Sequence, residues 1–159
     1  MKKNNIFKLI ASLIIPFLAA GLGSIFTSRT VNTWYTTLQR PSFSPPNWIF
    51  GPVWTLLYFL MGVALYLIWI KGINTKKAKI AITFFGIQLG LNAVWSILFF
   101  GLNQPLWAFI ELIFLWFAIL GTIITFYRID KKAAYLLIPY ILWVSFAAIL
   151  NFSIVLLNL

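Results

Sequence analysis

Glu111 and Asp130 are the whole carboxylate complement of this 159-residue sequence, which has neither cysteine nor histidine. That set supplies no general acid/base pair for a dark reaction. It also excludes serine–histidine and cysteine–histidine nucleophiles, disulfides, ordinary zinc sites and histidine-ligated haem. No metal site and no required cofactor are expected. The groups left with chemical character are aromatic or neutral and polar: eight tryptophans, six tyrosines and a handful of amides and hydroxyls. Such side chains bind flat, mostly apolar molecules through buried area and fix them with a few hydrogen bonds.

Their spacing groups them. At about 100° of rotation per helical residue, Trp54, Tyr58 and Met61 share one face, and so do Gln88, Asn92 and Trp95. Trp107, Glu111, Ala118 and Thr122 form a third set, and Tyr140, Trp143, Ala147 and Asn151 a fourth. An amide without a partner in hydrocarbon costs several kcal/mol, so Gln88 and Asn92 must face a bundle interior and bring Trp95 with them. Glu111 is expected to find an interior Asn or Gln, or a basic residue near the loops. Two readings stay open for the tryptophans. Anchoring at headgroup depth accounts for Trp34, Trp48, Trp69 and Trp107. A pocket accounts better for Trp54, Trp95 and Trp143, which share faces with polar groups. On the opposite side of the Gln88 helix, Gly86, Gly90 and Ala93 make a small-residue stripe that serves either a dimer seam or packing within one chain.

The elements that position these faces follow from composition. The sequence is 62% hydrophobic and 9% charged, with a mean hydropathy of +0.97, whereas soluble domains carry roughly 25% charged residues. Lipid is therefore the solvent for most of the chain. Five apolar runs at about 6–26, 48–70, 80–100, 106–127 and 134–157 are each long enough to span a bilayer as a helix. The expected fold is an all-α integral membrane protein, one five-helix transmembrane domain over residues 1–159 with a long connection at 27–47. The start, MKKNNIFKLIASLIIPFLAAGLGS, also has the make-up of a secretory leader, but its apolar run is long enough to be kept as the first helix. Helical prolines are expected at Pro16, Pro52 and Pro139.

The net charge of +10 sits between the apolar runs and reads as topology rather than nucleic-acid binding. Lys2, Lys3 and Lys8, then Lys71, Lys76, Lys77 and Lys79, then Arg128, Lys131 and Lys132 all fall on one side; Arg29 and Arg40 fall on the other. The positive-inside rule puts the N-terminus in the cytoplasm and the C-terminus outside. The 27–47 connection then faces outward.

That connection runs into the second span as RPSFSPPNWIFGPVWTLLY. Proline lowers the entropy lost when a loop orders, so Pro45, Pro46 and Trp48 suit a stiff lid over the bundle. They equally suit a rigid lead-in to the second helix.

The segment WYTTLQRPSFSPPNWIFGPVWTLLY, followed by QLGLNAVWSILFF and PYILWVSFAAILN, resembles the tryptophan-rich sensory protein/translocator protein family, also called the peripheral benzodiazepine receptor family. The likeness covers essentially the whole chain in family order. It implies a five-helix bundle, commonly a homodimer, with a pocket closed by the first loop. It further implies binding of porphyrins, protoporphyrin above all, and of synthetic flat hydrophobic ligands. Carried over by motif, Trp54, Asn92, Trp95, Trp143 and Ala147 fall on pocket positions; Tyr58 follows Trp54 by one turn. Glu111 stands where the family usually has Asp. The end of the fifth span, NFSIVLLNL, lacks the Tyr and basic residue of the eukaryotic cholesterol motif, so cholesterol is not expected as a partner. A porphyrin-binding receptor or sensor is the leading expectation. Light-dependent porphyrin degradation, with Trp54 and Trp143 as the reacting side chains, is the alternative, and tetrapyrrole or lipid transport trails it. The expected location is a bacterial cytoplasmic membrane.

Overall fold

The computed structural model describes residues 3–159; Lys2 lies outside the described residues, as does the side chain of Lys3. In chain order the helices are α1 (Lys3–Thr30), α2 (Trp34–Thr37), α3 (Asn47–Lys71), α4 (Lys76–Ser96), α5 (Pro105–Tyr127), α6 (Lys131–Tyr135) and α7 (Ile138–Leu157), and α4 runs on into a π-helical turn, Ile97–Gly101. There is no strand among the described residues. Five segments are long and apolar enough to cross a membrane: Asn4–Thr30, Asn47–Lys71, Lys76–Gly101, Pro105–Tyr127 and Lys131–Leu157. The protein is an all-α integral membrane protein.

Local sequence explains the breaks between them. Gly72, at φ +104°, takes the backbone out of α3 in a conformation that side chains disfavour. Thr75 then caps α4 by accepting from the Ala78 amide at 3.2 Å. Asp130 caps α6, accepting from the amides of Lys132 at 2.8 Å and Ala133 at 3.2 Å. The fifth apolar run is not one continuous helix, as the sequence suggests, but α6 and α7 joined at Leu136–Leu137. Pro139 is the reason: it has no amide hydrogen to give and crowds the residue before it, so it sits in the first turn of α7 rather than in a helix interior. Pro16 and Pro52 are internal to α1 and α3.

The packing order around the bundle is α3, α1, α4, α5, α7. Helix α4 lies antiparallel to α5, with Phe85 stacked on Phe126 at 5.7 Å, and α5 meets α7 through Phe109 and Phe152 at 5.0 Å. Helix α1 crosses between its neighbours. A Cβ on Gly62 of α3 would stand 2.9 Å from the Leu13 backbone, so α1 and α3 touch directly near one end. Toward the other end α1 leans on α4 instead: a Cβ on Gly23 would stand 2.9 Å from the Ser96 hydroxyl, and the Thr30 hydroxyl donates to the Phe100 carbonyl at 3.0 Å. The crossing opens a space between α1 and α3 near the lid end. Below that space, Met61, Ala64 and Ile68 of α3 close the core with Phe126, Leu137 and Val144.

The two ends differ in charge. Lys71 pairs with Asp130 at 3.7 Å, and Lys76, Lys77, Lys79, Arg128, Lys131 and Lys132 cluster at the same end. The lid end carries Arg29 and Arg40. Between the ends, large apolar side chains such as Leu18, Leu56, Phe114, Phe117 and Leu142 are exposed, the normal state of a surface whose solvent is lipid.

Candidate ligand cavity

The space left by the crossing of α1 is a cavity of about 450 Å³, within the usual range of small-molecule sites. Trp54, Tyr58, Asn92, Trp95, Trp143 and Ala147, singled out in the sequence, all line it. They arrive from α3, α4 and α7, three of the four faces that the helical period groups; the fourth, Trp107, Glu111, Ala118 and Thr122 of α5, contributes no lining residue.

Two polar devices hold those faces in place. The Tyr58 hydroxyl donates to Asn92 Oδ1, and Asn92 Nδ2 donates to the Tyr140 hydroxyl at 3.0 Å, tying α3, α4 and α7 together. Nearer the lid, Trp95 Nε1 donates to Asn151 Oδ1 at 3.2 Å, and Asn151 Nδ2 donates to the Pro105 carbonyl at 2.8 Å. The amides are thus engaged first with the protein, and the cavity they frame is walled mainly by rings. Trp54 stacks on Tyr58 at 5.5 Å, and Trp95 on Phe99 at 5.3 Å. Phe50 meets Trp143 at 6.1 Å and Trp54 meets Tyr140 at 6.2 Å, so α3 and α7 are bridged at this level by aromatic edges. Flat aromatic walls in near-parallel and edge-on settings suit a flat guest.

The cavity has a side opening. Gly21 and Ser24 of α1 and Gly51 and Thr55 of α3 line it yet are exposed, and a Cβ on either glycine would meet nothing within 4 Å. The wall between α1 and α3 is therefore incomplete at this level and gives onto the lipid-facing surface.

The lid residues lie elsewhere. Pro45, Pro46 and Trp48 line a separate groove of about 660 Å³ on top of the bundle, and Trp48 is 73% exposed. Pro46, extended at φ −58° and ψ 144°, immediately precedes Asn47 at the start of α3, which is the lead-in role that proline stiffness allows. Beyond the end of α1, the part of the connection that does reach the cavity is Val31 and the buried Tyr35, whose ring packs on Phe99 and Phe100. Trp34 packs on Phe99 at 5.6 Å, while Trp107 is exposed as an interfacial tryptophan would be.

Gly86 and Gly90 are exposed, Ala93 is half-buried, and neither glycine has a neighbour where a Cβ would stand. The stripe therefore faces out of the chain and is not used for internal packing. Glu111 departs from expectation: it is 7% exposed, and neither carboxylate oxygen has a hydrogen-bond partner among the described residues. Gln88 is buried as expected, with Nε2 3.9 Å from Met61 Sδ and Oε1 unpartnered.

The cavity is also lined by α1 (Phe17, Ala20, Gly21, Gly23, Ser24, Thr27) and by the π turn (Phe99, Phe100), which no aromatic–polar face in the sequence marks. The run AAGLGS in α1 carried a signal of sorts, small residues that let another body approach. Nothing in SILFFG announces a π turn.

The model of the TspO/MBR family matches residues 12–157. The tryptophan-rich protein TspO of Archaeoglobus fulgidus is 49% identical over 154 residues, covering 97% of this chain and 99% of the relative. The translocator protein of Homo sapiens is 38% identical over 142 residues, covering 89% and 84% respectively. The tryptophan-rich sensory protein of Cereibacter sphaeroides is 32% identical over 149 residues, covering 92% of each. Five apolar helices, an aromatic cavity on α3, α4 and α7, and a match along nearly the whole length agree: the chain belongs to the TspO/MBR family.

Proposed function

We propose that the protein is a membrane receptor or sensor that binds porphyrins, protoporphyrin in particular, and other flat hydrophobic molecules in the intrabundle cavity. The observation that carries this reading is the convergence of Trp54, Tyr58, Trp95 and Trp143 on one cavity of about 450 Å³. Burial of an apolar macrocycle between these rings supplies the affinity, and the lateral opening between α1 and α3 gives it a route from the bilayer. We further place the N-terminus in the cytoplasm, from the basic clusters, and make the protein a homodimer through the outward stripe of Gly86, Gly90 and Ala93.

A titration of purified protein with protoporphyrin in the dark, followed by tryptophan fluorescence, tests the reading. Saturable quenching is expected in wild type, weakened about tenfold or more in Ala147→Phe, which fills the cavity, and weakened in Trp143→Phe. Equal, unsaturable quenching in all three proteins would mean that the porphyrin dissolves in the detergent and has no site. Trp54 and Trp143 line the same cavity, which keeps photochemistry as a second reading. Repeating the titration under light in air checks it: loss of the porphyrin absorbance band in wild type, and slower loss in Trp143→Phe, is the expected result.

A further inference from the structure

The groove on top of the bundle is a site of its own, for it shares no lining residue with the aromatic cavity. Its one charged lining residue is Arg40. Among the described residues no acid answers that charge: Glu111 is buried in the bundle, and Asp130 pairs with Lys71 at the other end. The guanidinium is held by neutral groups instead. Its Nη1 donates to Asn47 Oδ1 at 3.2 Å, and its carbon lies 5.0 Å from the centre of the Tyr35 ring. One of five N–H donors is engaged in that way, and the other four have no acceptor among the described residues.

Further donors of the groove are equally unspent. The Ser44 hydroxyl is buried without a partner among the described residues. Asn47 and Trp48 open α3, and their amides have no carbonyl to donate to, while Pro46 in the cap position supplies no side-chain acceptor. The frame that carries these groups is stiff. Pro41, Pro45 and Pro46 restrict the backbone, and the Ser44 amide closes a turn onto the Pro41 carbonyl at 3.0 Å. Gln39, just before Arg40, is pinned to the end of α7: its amide donates to Asn158 Oδ1 at 3.0 Å, and its carbonyl accepts from Asn158 Nδ2 at 2.9 Å.

A guanidinium, a hydroxyl and the first amides of a helix are donors suited to the several oxygens of a phosphate. Depth selects the source of that phosphate. The second span starts at Asn47, so the groove lies at the level of lipid headgroups, and Trp48 at its edge is exposed as an interfacial tryptophan is. We infer that the groove binds the phosphate of a bilayer phospholipid, with Arg40 paired to its oxygens and Ser44 and the start of α3 completing the cradle. The acyl chains remain in the bilayer. Such a headgroup ties the 31–46 connection to the membrane surface whether or not the aromatic cavity holds a guest.

The experiment titrates delipidated full-length protein in detergent with dimyristoyl phosphatidylglycerol and counts bound lipid by native mass spectrometry. Dimyristoylglycerol, which has the same chains and no phosphate, is run beside it. The proteins are wild type, Arg40→Gln, Arg40→Lys, Ser44→Ala and, as a control at the basic end, Lys77→Gln. The first phosphatidylglycerol is expected to bind wild type and Lys77→Gln alike, Arg40→Gln about tenfold more weakly, and Arg40→Lys and Ser44→Ala in between. Dimyristoylglycerol should bind weakly and equally to all five. Wild-type affinity in Arg40→Gln overturns the assignment, and so does an equal loss in Lys77→Gln, which would place the lipid on the basic end. Equal affinity of wild type for the two lipids overturns it as well, since the chains alone would then hold the lipid. If Arg40→Gln melts early, Ser44→Ala decides: weaker binding with an unchanged melt supports the site, and unchanged binding overturns it. Inorganic phosphate separates the sources. A phosphate ion that blocks the groove while the lipid never binds would overturn the lipid source and make the occupant a soluble anion.

Discussion

Asn92 illustrates how one residue can frame a binding cavity without being spent on the guest. Its oxygen accepts from Tyr58 and its nitrogen donates to Tyr140, so the side chain joins α3, α4 and α7 in a single chain of hydrogen bonds. Interhelical bonds in membrane proteins average about 0.6 kcal/mol and reach about 1.7 kcal/mol, less than their buried setting suggests. Asn92→Leu removes two and leaves two tyrosine hydroxyls without that partner, so a loss of about 1–3 kcal/mol is expected. Thermal unfolding in detergent measures it. Tyr58→Phe should cost less, and little more when added to Asn92→Leu, because both changes delete the same bond. A fully additive pair would mean that the bond contributes nothing. The interior position of Asn92 was legible in the sequence because hydrocarbon leaves an amide few alternatives. Its partners were not, since which hydroxyl lies opposite depends on the tilt and crossing of helices, and a periodic pattern on one helix carries neither. Glu111 marks the same limit: its burial could be read from the sequence, but the described residues offer it no hydrogen-bond partner.

The element that organises the molecule is α4, which presents two faces of opposite character. One carries Gln88, Asn92 and Trp95 into the bundle; the other carries Gly86, Gly90 and Ala93 out of it. A regular helical period made both faces readable from spacing. That period stops at Ile97, where the π turn inserts an extra residue and re-aims Phe99 and Phe100 into the cavity wall, a local event with no compositional mark. The crossing of α1 was equally hidden, because it is set by where a glycine lets another helix come close, Gly62 of α3 against Leu13 of α1 and Gly23 of α1 against Ser96 of α4. The outward face of α4 yields a test in which fold and assembly separate. Gly90→Leu meets no atom within 4 Å of the new Cβ and replaces a poor helix former, so the monomer should melt no earlier than wild type. In the homodimer proposed above, close backbone approach across the seam would be lost, and self-association should weaken by about tenfold or more in sedimentation equilibrium. Unchanged association would move the seam to another face.

Across the whole molecule, the asymmetry of charge has a direct consequence for how the cavity meets its surroundings. Basic residues crowd the end closed by α6 and the Lys71–Asp130 pair, where the core is tightly packed, whereas the cavity and its groove lie toward the sparsely charged end. If cytoplasmic retention of lysine and arginine sets the topology, the ligand site opens away from the cytoplasm and its lateral mouth lies in the outer half of the bilayer. The natural absence of cysteine makes this measurable with single introduced thiols. Ser42→Cys sits in the exposed lid segment and Lys77→Cys at the exposed start of α4, at opposite ends of the bundle. A membrane-impermeant maleimide added to intact cells should label Ser42→Cys at once and Lys77→Cys only after permeabilisation. The reverse pattern would turn the cavity toward the cytoplasm, and a guest would then have to come from the inner leaflet. Equal labelling of both in intact cells would mean that the chain inserts in two directions, which so lopsided a charge distribution should prevent. The orientation therefore decides which leaflet feeds the site, and two thiols are enough to read it.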